Sequence, residues 1–538
     1  MIPESEWKFF EGTEQRLKHL ARHRAENLIA RSTGTELPWD PAEIASRQTA
    51  ALQELDYPTR VETALGMDPT PEQARHLELH RRGALYALFE THPDLFPVAQ
   101  DLEERWAGFR PEVNGRAASW AEVARLVRED PDRDLREAAW KAVAPFAESL
   151  REDVGELVRR RELLSRSLLQ VGFPVVAFHF GEMDRAQEIG LLDMLERFTR
   201  KAFQESKSEI ARVLSIHEVD PWDLEYGFSR LGELPACALR LPLAAAREQA
   251  LRWGFAEDRL PLGIEAPNLP VESRPVWVEV PRETRFLYRP GSGWNHARAL
   301  FRAYGAALHG AQGTTRRHFL EQDAPAVVEA SGRIFEGVLD DASWLAEQTG
   351  APAPAIEEHL RVQRGQRILE LRRHAALATF ENLVYAASEL DPQRLYGDVL
   401  EHMLQETRRP EAVWTSHPDL VLRPAAAGAA IAGEVIAAQV RRRLGELLGP
   451  PGGWGLPWKN REVGAWLREH FMEPGARWTA EEKVVRATGQ PPGMEALADE
   501  LGVRFEGPTL EDGEEISDQA VADYFEGIDL GETDSDRT

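Results

Sequence analysis

From Leu135 to Leu169 the chain reads LREAAWKAVAPFAESLREDVGELVRRRELLSRSLL, with apolar residues at three- and four-residue steps among charges. That spacing places the apolar side chains on one stripe of a helix. Most of the first 260 residues share this rhythm and predict successive helices. Asp130-Pro131 reads as a helix start, with Asp as cap and Pro in the first turn. Gly172-Phe173-Pro174 ends the long helical run before it. The stretch from Leu260 to Arg274 is rich in Pro and Gly and reads as a loop. The period then changes. Val276, Val278 and Val280 alternate with other residues, as do Phe286 and Tyr288, with Arg282-Glu283-Thr284 between the two runs. A period of two predicts a short β hairpin, the one convincing β element. After Pro290-Gly291-Ser292-Gly293 the helical pattern resumes and continues to about Gly502.

From Thr509 onward acidic residues are dense and hydrophobic ones sparse. Such a composition cannot repay its ordering entropy, so 509–538 is expected to be a disordered or loosely docked tail, with Tyr524 and Phe525 its only large apolar side chains apart from isolated aliphatics. The remainder, about residues 1–505, is expected to form one helical domain with an N-terminal half to about 260 and a second half from 261. At 538 residues the chain is long enough to bury a sizeable core.

The net charge is −26, from 64 basic and 90 acidic residues. That surface repels phosphate backbones and argues against general nucleic-acid binding. The single cysteine, Cys237, allows no intramolecular disulfide and no cysteine-based metal site; it reads as a small buried apolar residue. The opening MIPESEWKFF has neither a basic n-region nor an apolar h-region, so no secretory signal is expected. The longest weakly polar run, Pro424 to Val440, contains Glu434 and is too short to span a bilayer. The expected location is the cytoplasm, with no membrane partner.

The helix after the hairpin carries the candidate chemistry. It reads WNHARALFRAYGAALHGAQG, within which Leu300 to Gly310 is LFRAYGAALHG. This frame resembles the zinc helix of the oligopeptidase superfamily that includes angiotensin-converting enzyme and thimet oligopeptidase, Leu-Phe-His-Glu-Phe-Gly-His-Ala-Leu-His-Gly. In that pattern two histidines four residues apart point at one metal, because such positions differ by only about 40° around the helix. The glutamate beside the first histidine takes a proton from the metal-bound water. In this chain the two ligand positions fall on Arg302 and Ala306, and the base position on Ala303. Arginine stays protonated and offers no lone pair, and alanine has no donor atom. The family's third ligand is a glutamate on the following helix. VVEASGRIFEG places Glu329 there, with Glu336 seven residues on. One ligand of three does not hold zinc tightly. The resemblance therefore implies no catalytic residue and no cofactor, the family's zinc being lost. Without a metal, Arg302 and Glu329 are expected to form a salt bridge where zinc would sit. His309 matches a non-ligand histidine of the family and reads as a packed, hydrogen-bonded residue. His296, Tyr304 and His318 share no ligand spacing with Glu329.

The likeness runs from about residue 5 to about 503. DPWDLEY at Asp220 to Tyr226, LVRRRELLSRSLLQVGF at Leu157 to Phe173, and NREVGAWLREHFMEPGARW followed by ATGQ resemble segments in the same order in bacterial members. It implies a mainly α fold, a large helical ellipsoid of two halves around a deep cleft, with the hairpin beside the former active-site helix. A second departure follows His417. Family members carry substrate-binding and oxyanion-stabilising tyrosines there. HPDLVLRPAAAGAAIAGEV keeps Pro424 and Gly433 but has Ala425, Ala426, Ala427, Gly428 and Ala429 in place of aromatics. Residues expected to line the cleft are Tyr304, His309, Glu336, His417, Val278 and Tyr288.

Three readings stay open: a pseudopeptidase that binds a peptide or protein partner, with the hairpin edge holding an extended peptide by strand addition; an active hydrolase with a metal site rebuilt from Glu329, His309 and His417; and a structural subunit of an enzyme complex.

Overall fold

The computed structural model describes residues 2–53, 56–232, 234, 242–269, 271–291, 293–314, 317–386, 390–449 and 456–504. Cys237 and the acidic tail lie outside them. The described chain is mainly helical, as its period of 3.6 predicts. The first helix, Glu4–Thr33, opens with Glu4 and Glu6 against its positive end and closes at Gly34. That glycine adopts φ 77° and donates its N–H to the last turn, a left-handed cap that glycine enters without strain. The run read as helical from Leu135 is interrupted at Ala142 and Val143, giving helices Arg133–Lys141 and Ala144–Leu169. The first of these starts at Asp132, whose side chain accepts the Asp134 N–H, two residues beyond the expected Asp130 cap. Phe173–Gly181 then begins after Gly172, as the break predicts. The last described helix, Glu495–Leu501, ends at Gly502.

The hairpin forms between Ser273–Glu279 and Glu283–Tyr288, antiparallel, with Trp277 opposite Thr284. Two further β features were not legible. Leu262–Glu265, inside the expected loop, pairs in parallel with Glu283–Tyr288, so the latter is the central strand of three. Glu112–Val113 and Arg116–Ala117 form a tiny second ladder around Asn114-Gly115, both at positive φ.

Packing crosses the sequence midpoint. The largest core joins Leu150, Val154, Phe203 and Phe228 of the first half to Val362, Phe380 and Val435 of the second. A second core surrounds the candidate motif helix Gly293–Ala311, which lies beside the three-stranded sheet and the helix Pro325–Glu336. A smaller one seats the first helix against Phe319 and Leu320. Among the described residues no single helix is long and apolar enough to cross a membrane.

Candidate functional site

The helix Gly293–Ala311 is buried along nearly its whole length from Trp294. Its partner Pro325–Glu336 crosses it unusually closely. A Cβ on Gly305 would lie 2.5 Å from the Phe335 Cβ, and one on Gly332 would lie 2.7 Å from the Arg302 carbonyl oxygen. Glycine is required at both positions because any side chain would push the helices apart. The crossing point sets Arg302 against Gly332, about one turn from Glu329 on one side and from Glu336 on the other.

The Arg302 guanidinium turns toward Glu336 and Glu370. Its Nε donates to Glu336 Oε2 at 2.8 Å, and its Nη1 to Glu370 Oε1 at 2.6 Å, Glu370 standing on the long helix Ala353–Ala386. The expected Arg302–Glu329 salt bridge does not form. Glu329 instead accepts from Arg333 Nε at 3.0 Å, and its Cβ and Cγ press against Gly433 of the helix Ala426–Leu448. Arg333 is 2% exposed and links Glu370 at 2.9 Å to Glu434 at 2.9 Å. Arg367 closes on Glu434 at 2.5 Å, while Arg298 donates to Glu336 at 3.0 Å. Alternating charges from four helices thus fill the space around the motif helix. Burial works against the ionised carboxylates, but the surrounding arginines prevail: Arg302 and Arg333 hold Glu336 and Glu370 below the ordinary range, and Arg367 and Arg333 do the same for Glu434.

The donor chemistry of the three family ligand positions does not fit a zinc ion. Arg302 offers only N–H groups, each of the paired ones already committed. Ala306 is 2% exposed and carries no donor, Ala303 at the base position is 3% exposed in the core, and Glu329 is held by Arg333. The rebuilt alternative has no geometric basis either. His309 is buried between Ser331 Oγ at 2.7 Å and Asp323 Oδ2 at 3.1 Å, the hydrogen-bonded position expected for it. His417 bonds Tyr396 Oη at 2.7 Å. Among the described residues, Glu329, His309 and His417 do not bring ligand atoms together.

A cavity of about 650 Å³ lies between elements of both halves, among them Tyr86, Phe173, Phe180, Arg274, Arg423 and the run Pro424 to Ala426. None of the six residues expected to line a cleft forms its wall. Tyr304 is buried between Phe286 and Phe335, with its hydroxyl unpartnered. Val278 is buried with Ala25 and Leu287 in a small core under the first helix. Glu336 belongs to the ion network, and Tyr288 is half-buried over His296. His309 and His417 are tied down as described. The alanine segment does reach the cavity: Ala425 stands at φ 63° and donates its N–H to Glu381 at 2.9 Å, starting the helix Ala426–Leu448. Sequence reasoning missed Glu370 and Glu434, which no spacing singles out, and Arg333, whose place four residues after Glu329 and three before Glu336 was a readable pairing signal. It also missed a buried group of Glu14, His76 and His80. There the His-x-x-x-His spacing is a signal that was open to reading.

No protein-family model matches the chain, and no curated protein matches it. Solved structures do. PZ peptidase A superposes with a TM-score of 0.66 at 12% identity, covering 99% of this chain and 97% of that one. Metallocarboxypeptidase 1 of Trypanosoma cruzi gives 0.60 at 14%, with 92% and 99% covered. The M32 carboxypeptidase of Deinococcus radiodurans R1 gives 0.57 at 15%, with 93% and 99% covered. Over almost its whole length, then, this chain has the helical fold of these metallopeptidases, the fold implied by the likeness in its sequence.

Proposed function

We propose that this protein is a peptidase-fold binding protein of the cytoplasm that does not hydrolyse peptides at the motif helix. The observation that carries the reading is the Arg302 guanidinium, seated at a ligand position and clamped by Glu336 and Glu370. A fixed cation there repels a divalent ion, and of the ligand positions Arg302, Ala306 and Glu329 only Glu329 carries a donor atom, which Arg333 already holds.

The cavity suggests what is bound. It is of a size that encloses a peptide end or a few side chains. Arg274 on the edge strand Ser273–Glu279 lines it. Burial and the neighbouring Arg423 push the Arg274 guanidinium down to about 10, the mark of a cation short of counter-charge. Arg423 itself is paired with Asp419 at 2.6 Å. An anionic group, an acidic side chain or a terminal carboxylate, relieves Arg274, while the strand edge offers main-chain pairing to an extended peptide.

The test is a panel of fluorescent peptides with acidic, neutral and basic ends, followed by mass spectrometry for cleavage and anisotropy for binding. The expected result is no cleavage with or without added zinc, and binding of acidic ends that Arg274→Gln weakens by about tenfold or more. Cleavage that Glu329→Gln abolishes would overturn the reading.

A further inference from the structure

We propose that Glu14, His76 and His80 form a binding site for a zinc-class divalent transition ion, remote in sequence from the motif helix. His76 and His80 stand four residues apart on the helix Pro71–Thr91, and Glu14 faces them from Glu4–Thr33. One ligand atom from each residue lies within 4.8 Å of the other two. Glu14 Oε1 is 2.9 Å from His76 Nε2 and 3.7 Å from His80 Nε2. Donor atoms around a tetrahedral zinc, with bonds of about 2.0–2.1 Å, are separated by roughly 3.3 Å, so small side-chain shifts bring these atoms into range. The ion would take the place of the proton that His76 and Glu14 now share.

Three observations point to a cation rather than to a finished core. All three side chains are buried, with Glu14 at 1% and His80 at 0% exposure. Yet Glu14 Oε2 and His80 Nε2 have no hydrogen-bond partner. Buried polar atoms are ordinarily satisfied, and a carboxylate beside two imidazoles has lone pairs to spare. The other ring nitrogen of His80, Nδ1, is bonded to the Tyr57 hydroxyl, the outer contact that fixes a ligating histidine's orientation. When Nδ1 carries the proton, Nε2 presents its lone pair to the site. The Phe319 N–H donates to Glu14 Oε1 at 3.2 Å and holds the carboxylate in place. Arg317 Nη1 lies 3.7 Å from Glu14 Oε2, and the same guanidinium pairs with Glu11 through Nη2. Access exists too: His76 forms part of the wall of a cavity of about 620 Å³ beside Lys8, Glu11 and Glu72. Two nitrogens and one carboxylate oxygen suit a zinc-class ion better than magnesium or calcium, which prefer oxygen alone.

The full chain, purified without chelator, stripped and dialysed, would be titrated with Co²⁺ and followed by its visible d–d absorption, then displaced with Zn²⁺. One ion per chain is expected. His80→Gln should weaken binding by at least about 100-fold, whereas Glu329→Gln should leave it unchanged. Circular dichroism checks that each variant is folded. If His80→Gln does not fold, His76→Ala at the cavity wall carries the test. No stoichiometric binding at micromolar metal by folded wild-type protein overturns the site, as does binding that survives in the folded variant. A metal found in the native protein but lost with His80 would leave the reading of the motif helix intact, so the two proposals fail separately.

Discussion

The motif helix and the Glu14–His76–His80 group are both buried and both carry carboxylates, yet their charges are balanced in different ways. Around Arg302 each carboxylate already has a guanidinium: Glu336 takes Arg302 and Arg298, Glu370 takes Arg302 and Arg333, and Glu434 takes Arg333 and Arg367. Around Glu14 one carboxylate oxygen and one imidazole nitrogen remain without a hydrogen bond, and the one guanidinium paired with that oxygen, Arg317, stands 3.7 Å away. Metal-binding capacity depends on lone pairs left over after the protein has satisfied itself. By that criterion the helix whose frame resembles a zinc site is closed, and the helix that keeps two histidines four residues apart, outside that frame, has lone pairs to offer.

The most damaging way to break this contrast is to remove a cation from the closed region. Arg333 touches Glu329, Glu336, Glu370 and Glu434 and is almost wholly buried. Arg333→Ala would leave these carboxylates with less counter-charge in a medium that cannot hydrate them. The expected loss is about 3–5 kcal/mol of unfolding free energy, read from urea melts. A loss below about 1 kcal/mol would mean that water or rearrangement satisfies the carboxylates, and that the region is not closed.

A second test uses a carboxyl on the same long helix as Glu370 that is not ion-paired. Burial pushes Glu381 up to about 7, although it accepts the Ala425 N–H and feels Arg161. A glutamate of the unfolded chain titrates near 4.5. Between these values the folded state holds the proton that the unfolded state has lost. The associated stability is therefore complete below about 4.5 and lost as pH rises through 7. Glu381→Gln stays neutral and keeps an acceptor for Ala425. It should match wild type near pH 4.5 and exceed it at pH 8 by about 3 kcal/mol, measured as denaturation at the two pH values. Equal stability at both would place a counter-charge beside Glu381 and erase its difference from Glu370.

Much of the fold was legible because local period carries it. Val276, Val278 and Val280 announced a strand, and the rhythm around Leu300 announced a buried helix. What local period cannot carry is long-range pairing. Leu262–Glu265 is only four residues long, its strand character comes from its parallel partner, and the surrounding Pro and Gly conceal it. The candidate site was half legible for the same reason. Facing helices followed from the motif frame, but which carboxylate meets Arg302 depends on where the helices touch and which way its side chain turns. Gly305 and Gly332 place that contact about one turn from either glutamate, and the Arg302 side chain turns to Glu336 and Glu370. Glu370 arrives from a third helix with no spacing relation to the motif. The readings of Val278 and Tyr304 as cleft residues went astray because an apolar or aromatic side chain near a site has the same signature as a core residue, and both are core.

The finest test of the contrast is Tyr57→Phe, which alters the open region without touching a ligand atom. Tyr57 is fully buried, and its hydroxyl bonds His80 Nδ1. If the group were only a packed core, the substitution would cost the apoprotein about 1 kcal/mol for one lost hydrogen bond and nothing more. If His80 ligates through Nε2, the hydroxyl also fixes the ring's tautomer and orientation, so its loss should weaken Co²⁺ binding by about tenfold while the absorption spectrum keeps its shape. Affinity and stability are read on the same preparation. A stability change with unaltered cobalt affinity would reduce the Tyr57 contact to packing, and an affinity change in folded protein would tie it to the imidazole lone pair on the far side of the ring.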